Sequence, residues 1–227
     1  MKLLTNLYNS IIQNRDKINS GFRRSFSQIK GKRRMPFPPL VYEENGIMFA
    51  KPEAVPGMAY RYNNEMYYVA KNRNDLKANI SSPAFGEHHP GSYPANRVVT
   101  TFVTDMQDLF MNSNFNDDIS NWDVSNVTNM SQMFVQTLYF NSDISKWDVS
   151  NVTSFYGMFY EAREFNADIS NWDVSNVTNM EWMFGVARNF NRDLSGWCVS
   201  NIPSIPEGFD DMTLSWVLPK PVWGTCP

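Results

Sequence analysis

Apolar residues in the second half of the chain return to the same places every 25 positions. Trp122, Trp147, Trp172 and Trp197 form one such series, and Phe115, Phe140, Phe165 and Phe190 form another. The string D-I-S-x-W-D-V-S-N-V-T occupies 118–128, 143–153 and 168–178, with a degraded copy, D-L-S-G-W-C-V-S-N-I-P, at 193–203. Upstream, F-V-T-D-M-Q-D-L-F at 102–110 aligns with N-V-T-N-M-S-Q-M-F at 126–134 and is one residue short in the loop that follows. A unit of this length cannot bury its apolar face alone, whereas stacked units share a continuous core. The pattern therefore predicts columns of like residues: Ile119, Ile144, Ile169 and Leu194; Val124, Val149, Val174 and Val199; Val127, Val152, Val177 and Ile202; Met130, Phe155 and Met180; Met133, Met158 and Met183; and Phe134, Phe159, Phe184 and Phe209.

Within the unit, Trp, Val and Val alternate with polar residues over W-D-V-S-N-V, which predicts a short strand. T-N-M-x-x-M-F has apolar residues at i, i+3 and i+4 spacing and predicts a short helix, with Thr128, Thr153 and Thr178 as its N-caps. The expected fold is thus an α/β repeat: a short leucine-rich-repeat-like solenoid with a small β-rich N-terminal cap and an N-terminal amphipathic helix. Asn116, Asn141, Asn166 and Asn191 recur after the Phe and are read as coil-corner residues that satisfy turn backbone groups.

The units resemble the BspA-like leucine-rich repeat, the 26-residue repeat of bacterial surface proteins. The resemblance rests on N-x-D-I-S-x-W-D-V-S-N-V-T-x-M-x-x-M-F and covers about residues 98–227. The ending, W-C-V-S-N-I-P with P-V-W-G-T-C-P, is similar to the C-terminal cap of such arrays. The resemblance implies surface display and adhesion or protein binding rather than catalysis.

Ahead of the array, V-Y-E-E-N-G-I-M-F-A predicts a hairpin turning at Asn45-Gly46. M-A-Y-R-Y and E-M-Y-Y-V-A predict another, turning at Asn63-Asn64. R-N-D-L-K-A-N-I at 73–80 reads as one or two helical turns, and 81–94 as a loop. G-K-R-R-M-P-F-P-P-L at 31–40 is a linker stiffened by Pro36, Pro38 and Pro39. The division expected is a basic amphipathic anchor helix at 1–34, a linker and small cap at 35–97, and the repeat array with a disulfide-closed end at 98–227.

Charge sharpens this division. The chain has 227 residues and a net charge of −3. Residues 1–34 hold nine Lys or Arg against one acid, Asp16, a net +8, which leaves −11 for the rest. Met1, Leu4, Tyr8, Ile11, Ile18 and Phe22 fall close to a heptad, so an amphipathic helix is expected, with Leu4, Tyr8, Ile11, Ile18 and Phe22 as the anchoring face. Thr5, Asn6, Asn9, Ser10, Gln13 and Asn14 interrupt any run of leader length, so a signal peptide is not expected. No run has the roughly 18 apolar residues of a membrane span. The anchor is expected to dock on a protein partner in a larger assembly, in preference to nucleic acid or a membrane surface.

Candidate chemistry is sparse. Cys198 takes the place that Asp123, Asp148 and Asp173 hold in earlier units, and Cys226 lies one residue from the end. A disulfide between them is expected, adding about 3–4 kcal/mol in the loop-entropy model; two free thiols are the alternative. The Asp columns are expected to accept hydrogen bonds from turn amides in preference to calcium, because the glycine-rich calcium nonapeptide is absent. His88 and His89 are too few for a metal site. No catalytic residue, metal or cofactor is expected, and the chain is read as non-enzymatic. The variable positions around the M-F pair carry the binding expectation: Tyr139, Tyr156, Tyr160 and Trp182 as an exposed aromatic face. The function expected is a displayed binding or structural protein anchored through residues 1–34, on a virion as capsid accessory or attachment protein. The alternative is a bacterial cell-surface adhesin for a host protein or glycan. Its placement is accordingly the virion surface, or extracellular at the cell surface.

Overall fold

The computed structural model describes residues 39–81 and 93–227. The first elements are two hairpins. Strands β1 (Val41–Glu44) and β2 (Ile47–Ala50) pair antiparallel, as do β3 (Ala59–Tyr62) and β4 (Glu65–Val69). Both tight turns place two residues at positive φ, Asn45 with Gly46 and Asn63 with Asn64. That conformation matches the twist of the flanking strands and explains why Asn and Gly stand there. Helix α1 (Arg73–Asn79) follows, capped by the Asn72 side chain, which accepts from Asp75 N. Strand β5 (Ile80–Ser81) pairs with β6 (Tyr93–Pro94), and β7 (Val98–Val99) adds to β4 in parallel. Met48 of β2 then forms a parallel bridge to Trp122, its N–H bonding Asn121 O at 2.8 Å. The hairpin β1–β2 meets the array at this bridge and packs its own small cluster with Val69 and Val99, while Tyr68, Leu76, Ile80 and Val98 share the core of the first coil with Phe110 and Trp122.

From about residue 100 onward the chain winds in coils that stack by 25-residue steps, but these coils are not built as the sequence pattern predicts. Among the described residues the only α-helix is α1, which lies outside the repeat. The M-x-x-M-F segments are chains of tight turns. In one coil, Met133, Val135 and Thr137 donate N–H within the coil to Met130, Gln132 and Phe134, three residues back. The alternate residues Gln132, Phe134 and Gln136 donate to Tyr156, Met158 and Tyr160 of the next coil, at 2.7–2.9 Å. This alternation needs a left-handed residue at two fixed positions per coil. Gln132 and Gln136 have φ of 58° and 54°, and Trp182 and Val186 have 59° and 60°. Such backbone costs a non-glycine residue, a β-branched Val most of all. The inter-coil bond offsets the cost: Val186 N reaches Asp211 O at 2.7 Å.

The α/β leucine-rich-repeat-like solenoid is thus corrected. Spacing of i, i+3 and i+4 marks which residues face inward, and a run of three-residue turns faces Met130, Met133 and Phe134 inward as a helix would. The expected strand at W-D-V-S-N-V is also absent. Trp122 N and Val127 N close turns onto Ile119 O and Val124 O. Extended pairing between coils shrinks to single parallel bridges, Asp105 to Asn129 to Ser154 to Asn179. Thr128, Thr153 and Thr178 cap no helix; their hydroxyls donate to the backbone of the preceding coil at Thr104, Thr128 and Thr153. The expected N-terminal helix, with its face Leu4, Tyr8, Ile11, Ile18 and Phe22, lies outside the described residues.

Like residues sit over like. Trp122, Trp147 and Trp172 stack with ring centroids 6.4 and 6.5 Å apart and planes within 6° of parallel. Each indole N–H donates one coil back: Trp147 to Ile119 O, Trp172 to Ile144 O and Trp197 to Ile169 O, all at 3.1 Å. Phe134, Phe159 and Phe184 form a second file at 5.7–5.8 Å. Within each coil they stack on Phe140, Phe165 and Phe190. The Asn column is a coil-to-coil clamp: the Asn116, Asn141 and Asn166 carboxamide oxygens accept from the backbone N–H of Asn141, Asn166 and Asn191. One predicted column changes at the end. Phe184 N bonds Phe209 O where earlier Phe residues bond a Met, so Phe209 stands in the Met183 column and Asp210 takes the Phe position.

The tail lies along the last coil. Leu194 N, Val199 N and Gly224 N bond Pro219 O, Thr225 O and Ile202 O, and Trp223 packs edge-on against Phe209 at 4.8 Å. Cys198 and Cys226 form a disulfide there.

Candidate functional site

The stacked coils present two kinds of surface position. Positions that repeat are spent on the stack itself. Asp118, Asp143, Asp168 and Asp193 each accept the N–H of the Ser two residues on, at 2.9–3.0 Å, as Asp123, Asp148 and Asp173 do at 3.0–3.1 Å. The backbone N–H of Ser145 and Ser170 holds the Asp143 and Asp168 carboxyls below the usual range, with the serine hydroxyls helping. The Ser175 and Ser195 hydroxyls do the same first for Asp173 and Asp193, with the backbone adding to them. Among the described residues no group of three or more Asp, Glu, His or Cys is arranged to hold a metal ion. His88 and His89 lie outside the described residues.

A pH dependence follows. These carboxyls have folded pKa values below their unfolded ones, so their contribution is complete above about pH 4. It is lost as pH falls through the depressed folded values. The urea midpoint is expected to stay level from neutral pH to about pH 5 and to drop below pH 4. Ser175→Ala with Ser195→Ala should lessen that drop, since the hydroxyl donors to Asp173 and Asp193 go while the backbone N–H donors stay.

Positions that break the repeat build a groove. Gln132, Gly157, Trp182 and Gly208 occupy one left-handed position in successive coils, with φ of 57–61°. Gly157 leaves a gap in this column between the Gln132 and Trp182 side chains. Tyr156, Val135 and Tyr160 line the gap with them, around an open volume of about 270 Å³. The Trp182 ring lies directly over Gly208, where a Cβ would come within 2.2 Å of it. Trp182 also meets Tyr160 edge-on, with centroids 6.0 Å apart.

Of the four aromatics expected to form a binding face, three therefore converge, Tyr156, Tyr160 and Trp182. Tyr139 is 59% exposed and does not line the groove. Sequence reasoning missed Gln132, Val135 and Gly157 as lining residues. The readable signal was the Gln-Gly-Trp succession at one coil position, which implies a floor between two walls once the coils are in register. Polar donors here are unspent. Among the described residues the Tyr156 and Tyr160 hydroxyls and the Trp182 indole N–H have no hydrogen-bond partner, whereas Trp147, Trp172 and Trp197 spend theirs inside the stack.

No helix among the described residues is long and apolar enough to cross a membrane. Comparison with known proteins found no match among curated proteins or solved structures. The family model described as "Mycoplasma protein of unknown function, DUF285" matches residues 84–197, which take in the first coils and the groove. That match spans half of the chain, and the chain belongs to the DUF285 family.

Proposed function

We propose that this chain is a non-enzymatic binding module displayed at a cell surface, contacting a partner through the Tyr156–Tyr160–Trp182 groove. The observation that carries the reading is the groove itself: an aromatic-walled gap on a surface whose repeating residues are committed to holding coils together. Aromatic side chains with unspent donors supply most of the energy in recognition surfaces. The carboxylates that an acid–base mechanism would need are engaged in turns, which supports a role without catalysis. The unit string resembles the repeats of BspA-like surface proteins, and a disulfide suits an oxidising exterior. Residues 1–34, with their charge of +8, are assigned the attachment role. The family match offers no support for a virion, so the reading is placed at the cell surface.

The test is a binding panel of extracellular-matrix proteins and glycans, probed with the full chain and with Trp182→Ala and Tyr156→Ala. The expected result is at least one saturable ligand whose affinity falls more than tenfold in both variants, as for hot-spot aromatics. Ligands bound equally by all three proteins would contradict the reading.

A further inference from the structure

We infer that the groove takes an extended, proline-containing peptide segment with adjacent arginine or lysine, presented by a partner protein. The inference rests on the groove being the binding site and names what fills it. Three features of the site select this chemistry.

The first is shape and lining. Tyr156, Tyr160 and Trp182 flank an open slot over the bare backbone of Gly157. Flat aromatic walls around a narrow slot suit proline rings, which arrive in a preformed polyproline helix and lose little entropy on docking.

The second is the hydrogen-bonding sense of the site. Two tyrosine hydroxyls and an indole N–H are unspent among the described residues, and each donates. A proline-rich strand has carbonyls in excess and few N–H groups, so its need is for donors. A saccharide offers hydroxyls that call for planar acceptors and donors together, and Gln132 is the only amide side chain lining the slot.

The third is charge. The column that carries Ser131 and Tyr156 continues as Glu181 and Glu207, both exposed. The backbone sets them beside the slot: Gly157 N bonds Glu181 O at 2.8 Å and Trp182 N bonds Glu207 O at 2.9 Å. Neither carboxylate has a salt-bridge partner among the described residues. Two such carboxylates one coil apart, in the column that carries Tyr156, favour a cation flanking the prolines.

The experiment uses an acetylated probe of two arginines followed by eight prolines, titrated by calorimetry into the full chain. The same titration is run on the chain with Pro36→Ser and Pro39→Ser, because residues 33–39 read R-R-M-P-F-P-P and share the probe's composition. Controls are the probe with two glutamates in place of the arginines, and a chito-oligosaccharide. Binding to at least one of the two chains is expected, at least tenfold weaker for the glutamate probe and weakened several-fold in Glu181→Gln with Glu207→Gln.

Gly157→Gln should abolish binding and keep the fold, at the modest stability cost of a non-glycine residue in left-handed backbone. Gln132 and Trp182 already hold the same left-handed position with side chains, and a Cβ on Gly157 meets nothing nearer than 3.5 Å. That variant plugs the slot and leaves all three aromatics in place, so it stands beside Trp182→Ala if the latter unfolds. No saturable binding to either chain overturns the inference, as does equal binding of the two charge forms. Oligosaccharide binding that Gly157→Gln removes, without peptide binding, overturns the peptide assignment while the groove remains the binding site. Should the surface panel also show no dependence on Trp182, the groove reading falls with it.

Discussion

Trp147→Ala is expected to destabilise the chain by about 3–5 kcal/mol, the range for truncating a large aromatic in a packed core. Trp147 is almost fully buried between Trp122 above and Trp172 below, so the ring's removal leaves a void in the middle of the file. Its indole N–H also donates to Ile119 O, and losing that bond adds to the cost, although Ile119 O keeps the N–H of Trp122 as a donor. Trp147→Phe separates the two effects. It keeps an aromatic ring in the file but removes the donor, and should cost clearly less than the alanine variant. Urea midpoints of the three proteins check this; equal loss for Phe and Ala would mean the hydrogen bond, not stacking, dominates.

The second large effect is expected at the other end of the array. Reduction of Cys198–Cys226, or Cys198→Ser with Cys226→Ser, should cost about 3–4 kcal/mol in the loop-entropy model. The bond joins residues 28 apart and holds the tail along the last coil. Without it, the bonds from Val199 N to Thr225 O and from Gly224 N to Ile202 O depend on local packing alone. Hydrogen exchange should speed up first at Val199 and Gly224, before Trp147 or Trp172 are affected. Uniform exchange throughout the array would show that the end is not a separable layer.

The parts legible in the sequence were those set by side-chain identity at a fixed period. Trp122, Trp147 and Trp172 could be placed in one file because tryptophan at three equivalent positions has no other economical burial. The two hairpin turns were legible because Asn45-Gly46 and Asn63-Asn64 tolerate positive φ. The disulfide was expected because Cys198 replaces the Asp that closes a turn in earlier coils, and the bond is found there. The helix expected over T-N-M-x-x-M-F was not legible as turns, because period alone reports the inward face and not the backbone that produces it. The deciding residues are Gln132, Gln136, Trp182 and Val186, whose left-handed backbone leaves little trace in residue type. The same limit hid half of the groove. Tyr156, Tyr160 and Trp182 stood out as aromatics at variable positions, whereas Gly157 matters through what it omits. Tyr139 was grouped with them on chemistry, and its place in the coil sets it apart.

The central claim is that each coil lies on the previous one in a register of one 25-residue unit. Nuclear Overhauser contacts from the tryptophan indole N–H protons test it most directly. The account predicts that Trp147, Trp172 and Trp197 each show contacts to the backbone of Ile119, Ile144 and Ile169, and that all three indole protons are protected from exchange. Indole protons that exchange freely, or that contact only residues of their own unit, would contradict it.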